Sequence, residues 1–437
     1  MLRRMARFAL TTTIIIIIAL VPVARAAAPA PHVVVVRAAR MLDVKAGRLV
    51  RDAAVVVSDG VITAAGHGVA APAGATVIDL GDATLLPGLI DCHTHLMARM
   101  AATPDGYTLA LAEKSQAFRA LEGAANARAT LHAGFTAVRD VESEGSGYAD
   151  VALRDAINQG LVEGPRMLVA TRGIAAVGSY FPFGVAPELA DRFPTGAQMV
   201  SGVEEARRAA REQLGHGADL IKIYADWETP TLTVDELRVV VEEAHKHGKK
   251  VAAHADSVAG IRNAVAAGVD SIEHASDADA ATLALMKQKN VVWVTTRAAF
   301  AQELAKTTEP EARAWLERVV ERGRANLATA RKLGLRIAAG YDASSGEDQG
   351  HNARELVELH RLGVPAAEVI RAATVNAAAL VGRADRWGAL EKGHVGDVIA
   401  VAGDPLADIG ELERVRFVMK GGVVVENTLG ENRLLKK

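Results

Sequence analysis

Eight short apolar runs recur through the middle of this 437-residue chain, most of them followed by a longer amphipathic stretch. They are Leu86–His95, Thr136–Val141, Met167–Ala170, Leu220–Tyr224, Val251–Ala255, Ser271–His274, Val291–Thr295 and Ile337–Tyr341. Apolar runs this short read as strands buried on both faces. The stretches between them, such as Val234–Lys246 and Glu311–Leu333, carry a helical period. Eight strand–helix units over roughly 300 residues predict an α/β fold, a closed (β/α)8 TIM barrel rather than an open doubly wound sheet. No glycine-rich phosphate loop follows an early strand, which argues against a dinucleotide-binding domain.

The two flanks of that region have another rhythm. Val33–Val36 and Val55–Val57 are β-branched runs separated by turn residues such as Asp59-Gly60. After the barrel the pattern returns in Val398–Val401, Val415–Met419 and Val423–Val425. This predicts one small β-sandwich domain built from both chain ends, residues 27–87 and 381–437, around a barrel of residues 88–380.

Residues 1–26 have the three-part pattern of a secretory signal peptide. Arg3, Arg4 and Arg7 precede the apolar stretch Phe8–Val21, and Ala24-Arg25-Ala26 forms a small-x-small cleavage site. The expected location is periplasmic or secreted. Without this segment the chain has 46 basic and 52 acidic residues, a net charge of −6. Such a balance offers no field for a nucleic-acid backbone. No apolar run reaches the roughly 20 residues of a membrane span, so no membrane partner is expected after signal removal. The one cysteine, Cys92, excludes an intramolecular disulfide and any cysteine-rich zinc module.

In a barrel of this kind chemistry sits at the carboxyl ends of the strands. The first run ends at Asp91-Cys92-His93-Thr94-His95, and residues i and i+2 of a strand share a face, so His93 and His95 can reach one ion together. The fourth run places Lys222 between isoleucines. The fifth ends at His254-Ala255, the sixth at His274, and Asp342 follows the eighth. Each has a plain alternative: a chance His-x-His, a snorkelling lysine, a core histidine, a helix cap. Five strands delivering metal-type residues to one rim outweigh those alternatives.

The run Leu86-Pro87-Gly88-Leu89-Ile90-Asp91-Cys92-His93-Thr94-His95 closely resembles the first-strand signature of the metal-dependent amidohydrolase superfamily. Gly134-Phe135-Thr136-Ala137-Val138-Arg139-Asp140, Thr374-Val375-Asn376-Ala377-Ala378, Gly396-Asp397-Val398 and Gly403-Asp404-Pro405 extend the likeness over nearly all of the mature chain. The chain is most similar to the imidazolonepropionase-related branch, which contains Xaa-Pro-type dipeptidases and ochratoxin-hydrolysing amidohydrolases. The resemblance implies two divalent metal ions. His93, His95 and Asp342 would hold one and His254 with His274 the other. Lys222, carboxylated by carbon dioxide, would bridge them, and Asp342 would carry the catalytic proton. Burial among isoleucines favours the neutral amine that such carboxylation needs. Nitrogen and oxygen ligands without thiolate suit zinc.

The likeness points to hydrolysis of an amide bond to a C-terminal amino acid, in a dipeptide, an N-acyl amino acid or an ochratoxin A-like molecule. Opening of a lactone or an imidazolone-type cyclic amide on the same site is the alternative. The substrate-binding candidates are Tyr180 and Phe181 in the long segment after the third run, Tyr224 beside Lys222, Arg172 and Arg297 after the third and seventh runs, and His351 after the eighth. The relatives further imply a homo-oligomer, an octamer among the options.

Overall fold

The structure is a computed structural model that describes residues 32–101, 106–180, 186–190, 192–227 and 229–429. The expected signal segment 1–26 and Phe181 lie outside these residues. Strand β1 (Val33–Asp43) pairs antiparallel with β2 (Arg48–Ser58), and β2 with β3 (Val61–His67). The other edge of β1 takes β4 (Thr76–Asp79) and then β5 (Thr84–Pro87), both parallel.

Gly88 ends this sheet and β6 (Leu89–Thr94) opens the barrel. A side chain at Gly88 would collide with Thr136 Oγ1, so glycine lets the backbone pass close by. The run Leu86–His95, expected as one barrel strand, is therefore two strands in two sheets. Apolar periodicity alone cannot reveal such a break.

Strands β6, β7 (Phe135–Asp140) and β8 (Arg166–Val169) are parallel. A parallel pair, β9 (Gly173–Ala176) and β10 (Ala197–Val200), leads through Ile174 and Ile223 to β11 (Leu220–Tyr224). From there β12 (Lys250–Ala255), β13 (Ser271–His274), β14 (Val292–Val294) and β15 (Ile337–Ala338) follow in parallel order. Backbone bonds join the two arcs. Asp219 N donates to Val169 O at 2.7 Å, and Cys92 N to Ala339 O at 2.9 Å. The fold is a TIM-type α/β barrel. Strands β16 (Val398–Val401), β17 (Phe417–Lys420) and β18 (Val423–Asn427) then return to β5. Among the described residues one continuous eight-stranded sheet thus joins strands from both flanks of the barrel. Val36 and Val57 of β1 and β2 share one buried core with Ala400 and Phe417 of β16 and β17.

Alternation along the barrel strands decides what faces inward. Ile221 and Ile223 of β11, Val251 and Ala253 of β12 and Ile272 of β13 pack outward with helix residues such as Leu237, Val240 and Ile261. Leu220 and Ala252 belong to a separate small cluster with Val141 and Ala170. Lys222 and His254 share their phase and point inward. The helix Val234–Lys246 starts in a capping box, Thr233 Oγ1 bonding Glu236 N and Glu236 bonding Thr233 N. Glu236 also accepts from Gly202 N at 2.7 Å, which ties the helix start to the end of β10.

Candidate functional site

The carboxyl ends of the barrel strands carry unusual backbone. Glu144, Thr171, His274, Ala275, Thr296 and Asp342 all have positive φ, between 47° and 69°. Non-glycine residues adopt this conformation at a cost of order 1–3 kcal/mol, and keep it where surroundings impose it. The clustering marks one rim of the barrel. His274 shows the effect: strict alternation would send it outward with Ile272, and its φ of 69° redirects it.

Three donor groups converge at this rim. Ligand-type atoms of His93, His274 and Asp342 all lie within 4.8 Å of one another. His93 Nε2 is 3.2 Å from His95 Nε2 and 3.7 Å from Asp342 Oδ1. His95 Nε2 is 3.3 Å from Asp342 Oδ1, and His274 Nδ1 is 3.8 Å from Asp342 Oδ2. The His254 ring is centred 4.6 Å from that of His274.

Supporting residues orient these rings. Glu273 Oε2 lies 2.8 Å from His93 Nδ1. Both oxygens of the same carboxylate accept from Arg139 Nη2, at 2.8 and 2.7 Å, and Oε1 also accepts from Ser271 Oγ at 2.6 Å. Glu144 Oε1 is 2.7 Å from His95 Nδ1, close enough to pair but out of line for a hydrogen bond. Thr296 Oγ1 bonds His274 Nδ1 at 2.7 Å. His254 Nε2 is buried, 3.3 Å from Asp256 Oδ2, with no hydrogen-bond partner among the described residues. Carboxylates behind the outer nitrogen of an imidazole fix its tautomer and turn its other lone pair to the centre.

Lys222 is 1% exposed, and no carboxylate lies within ion-pair distance of Nζ among the described residues. Its Nζ lies 5.0 Å from the Tyr224 ring centre. Burial pushes its pKa below the ordinary lysine value, against the pull of Glu273 and Asp342. Burial likewise lowers His93 to about 4. Burial raises Asp342, but His93, His95 and His274 outweigh it and hold the carboxyl well below its usual range. Burial lowers His95, but Glu144 and Asp342 outweigh it and leave this ring well above its ordinary value.

The family described as Amidohydrolase family matches residues 84–425. The chain belongs to the amidohydrolase family. This amidohydrolase is 34% identical to the ochratoxinase of Aspergillus niger over 412 residues, 86% of this chain and 83% of that one. The crystal structure of that enzyme covers 92% of this chain and 98% of its own, with a TM-score of 0.81 and 30% identity. A Xaa-Pro dipeptidase, solved with methionine bound in its active site, is 30% identical with a TM-score of 0.80, covering 90% of this chain and 100% of its own. An imidazolonepropionase of Deinococcus deserti is 26% identical over 381 residues, 82% of this chain and 87% of that one. With these relatives the amidohydrolase is a hydrolase acting on C–N bonds.

The amidohydrolase thus brings together His93, His95, His274 and Asp342, with His254 beside His274 and Lys222 buried below. The expected substrate residues fare differently. Tyr180 and Tyr224 are buried with both hydroxyls on Glu142. Arg172 is half-buried and bonds Ala197 O at 2.8 Å. Arg297 is 2% exposed, and its guanidinium donates to the carbonyls of His274 and Thr295 at 2.8 and 2.6 Å. It braces the backbone under His274. His351 is exposed in the segment after β15. A cleft of about 360 Å³ among Lys287, Arg331, Arg336 and Arg371 lies at the opposite, amino end of β14 and β15, away from this chemistry.

Sequence reasoning passed over Arg139, Glu142, Glu144 and Glu273. The signal was present for two of them. Arg139 sits between valines and aspartate in a buried run, and a buried cation needs a partner. Ser271 and Glu273 share a face of β13, so Glu273 was the acid available to it.

Proposed function

We propose that this amidohydrolase holds two divalent metal ions, zinc by preference, and uses them to cleave an amide bond to a C-terminal amino acid. The residues fit such a centre. A His93 imidazole engaged by Glu273 at its outer nitrogen, a depressed Asp342 carboxyl and a buried His254 Nε2 with no hydrogen-bond partner among the described residues make a nitrogen and oxygen donor set suited to zinc. His93, His95 and Asp342 would hold one ion, and His254 and His274 the other. The amine of Lys222, whose pKa burial lowers, would take up carbon dioxide to give a carbamate and a proton, and the carbamate would serve as a ligand to both ions.

When bound, the ions supply a water acidic enough to attack at neutral pH and a Lewis acid for the amide carbonyl. Asp342 receives the proton of the attacking water on its carboxylate and returns it to the departing amide nitrogen. Its 22% exposed side chain suits that exchange, being the most open of the group. Glu273 and Glu144 hold His93 and His95 in place.

The observation that carries this reading is the gathering of His93, His274 and Asp342 donor atoms within 4.8 Å beside a buried Lys222. The substrate class is supported by the relatives, an ochratoxinase and a Xaa-Pro dipeptidase. Dipeptides, N-acyl amino acids and ochratoxin A are the substrates to try. The imidazolonepropionase relative favours one second reading, opening of a cyclic amide or lactone by the same centre. Export to the periplasm or medium, resting on residues 1–26, and assembly into a homo-oligomer belong to the proposal too. The test is chelation followed by zinc, with that panel and lactones as substrates. Amide turnover lost and then restored supports the proposal, and turnover indifferent to stripping defeats it.

A further inference from the structure

Glu142 lies two residues beyond β7 and is fully buried. Its two carboxylate oxygens are claimed by different segments. Tyr180 Oη donates to Oε1 at 2.5 Å, and Tyr224 Oη donates to Oε2. Tyr180 belongs to the segment after β9, and Tyr224 ends β11, two residues from Lys222. Glycines make room for the assembly. A side chain at Gly196 would collide with Glu142 Oε1 and Tyr180 Oη, and one at Gly173 with the Tyr224 ring.

The rings continue as a row. Tyr180 meets Tyr224 edge-on, their centroids 4.9 Å apart. Tyr224 stacks on Trp227 at 5.3 Å with 23° between planes. Trp227 lies 4.4 Å from the His254 ring, and its Nε1 donates to Ser179 O at 2.5 Å. A buried carboxylate persists where donors meet its oxygens. Here the donors are the two phenols, so the hydroxyls turn to Glu142. What reaches His254 and Lys222 is aromatic ring, not hydroxyl.

We propose that Glu142 is a positioning residue that sets substrate choice. By fixing Tyr180 and Tyr224 it holds, with Trp227, an aromatic wall beside His254, against which a flat aromatic or bulky apolar group of an amide substrate packs. The substrate half of this proposal rests on the amide-hydrolase reading, whereas the positioning half rests on the packing alone.

The test uses Glu142→Ala, Glu142→Gln and Tyr180→Phe in the full chain. Near-ultraviolet circular dichroism of the metal-free protein reports the ring row directly. It should weaken in Glu142→Ala and to a smaller degree in Glu142→Gln, which keeps one acceptor oxygen. Turnover of the N-benzoyl and N-acetyl derivatives of one amino acid reports the wall. The benzoyl-to-acetyl ratio of kcat/KM should fall about tenfold in Glu142→Ala and less in the other two, the scale of a lost aromatic packing contact. A residue with a merely structural role would lower both substrates together and leave the ratio unchanged. An unchanged ratio overturns the specificity role, and an unchanged aromatic spectrum overturns the positioning role. If Glu142→Ala fails to fold, by far-ultraviolet circular dichroism, Glu142→Gln decides both. If the wild-type protein cleaves neither probe, the amide reading and the substrate half fall together, and the spectrum still decides the positioning half.

Discussion

The Nε2 atoms of His93 and His95 face each other across 3.2 Å. Neither ring is free to turn away, because Glu273 engages His93 Nδ1 at 2.8 Å and Glu144 lies 2.7 Å from His95 Nδ1. Two bare lone pairs at that separation repel, so the gap holds either a proton or a cation. His95 is the ring whose pKa is raised, by Glu144 and Asp342 against burial, while burial holds His93 at about 4. Glu144 and Asp342 thus favour a proton on His95 over one on His93.

Metal uptake has to displace that proton. Apparent zinc affinity is expected to rise with pH, by roughly tenfold per unit while His95 is still protonated. Competition with a chromophoric chelator, at about pH 6 and about pH 8, measures the slope. A flat profile would show that His95 carries no proton to lose.

Lys222 gives the second expectation. Lys222→Ala should lose activity and much of the bound metal by elemental analysis. Metal-free wild-type protein given zinc in buffer purged of carbon dioxide should recover slowly, and bicarbonate should speed it. Acetate should restore part of the activity of Lys222→Ala, since a small carboxylate can enter the space the side chain leaves. Full activity in that variant with two ions retained would eliminate the bridging role.

Glu273 gives the third. It is shared among His93, Arg139 and Ser271, all buried. Glu273→Gln keeps the shape and removes the charge. Changes at such supporting residues cost roughly 10–100-fold in metal affinity or activity. Arg139, 2% exposed, is left without its counter-charge, and stability should drop by about 3 kcal/mol. Urea unfolding together with zinc titration separates the two effects. Wild-type stability with weakened zinc binding would mean that Arg139 finds another partner.

The inward residues of the site were legible because strands have a period of two and barrels keep chemistry at one rim. His93, His95, Lys222 and His254 all follow from that rule. His274 and Asp342 reach the same place through positive φ, which no periodicity records. The break at Gly88 was hidden because both strands it separates are apolar and buried. Arg297 was placed by its order along the chain alone. Its position after the seventh strand suggested the mouth, whereas the left-handed turn at Thr296 sends its guanidinium under His274.

Stability of the metal-free protein should peak at mildly acidic pH. Burial raises Asp140 and Glu355 to about 8 and Asp150 to about 6. Each binds its proton more tightly folded than unfolded, so its contribution is complete below the unfolded pKa and is lost as pH rises through the folded one. Glu273 and Asp342 have the opposite sign, being held below the ordinary carboxyl range, and their contribution is lost as pH falls. Glu355→Gln mimics the protonated acid that accepts from Thr295 Oγ1 and Ala298 N. Between about pH 5 and about pH 8 it should lose less stability to urea than the wild type does. Parallel pH curves for the two proteins would show that Glu355 stays ionised in the fold.

Arg297 and Arg172 should separate cleanly. The Arg297 guanidinium lies 4.7 Å from the Phe300 ring centre and bonds two carbonyls at a backbone turn under His274. Arg297→Ala leaves those carbonyls without a donor, at about 1–3 kcal/mol for each. It should reduce melting temperature and metal occupancy, and change KM equally for an N-acyl amino acid and its uncharged carboxamide. Arg172 is half-buried, and among the described residues its guanidinium bonds one backbone carbonyl and Thr195 Oγ1, both through Nη2, which leaves donors for a carboxylate. Arg172→Ala should raise KM for the free acid about tenfold over its effect on the carboxamide, the scale of one charge-assisted pair. Equal shifts for acid and carboxamide would move carboxylate recognition away from Arg172, and a selective shift in Arg297→Ala would mean that its guanidinium leaves the His274 carbonyl when substrate arrives.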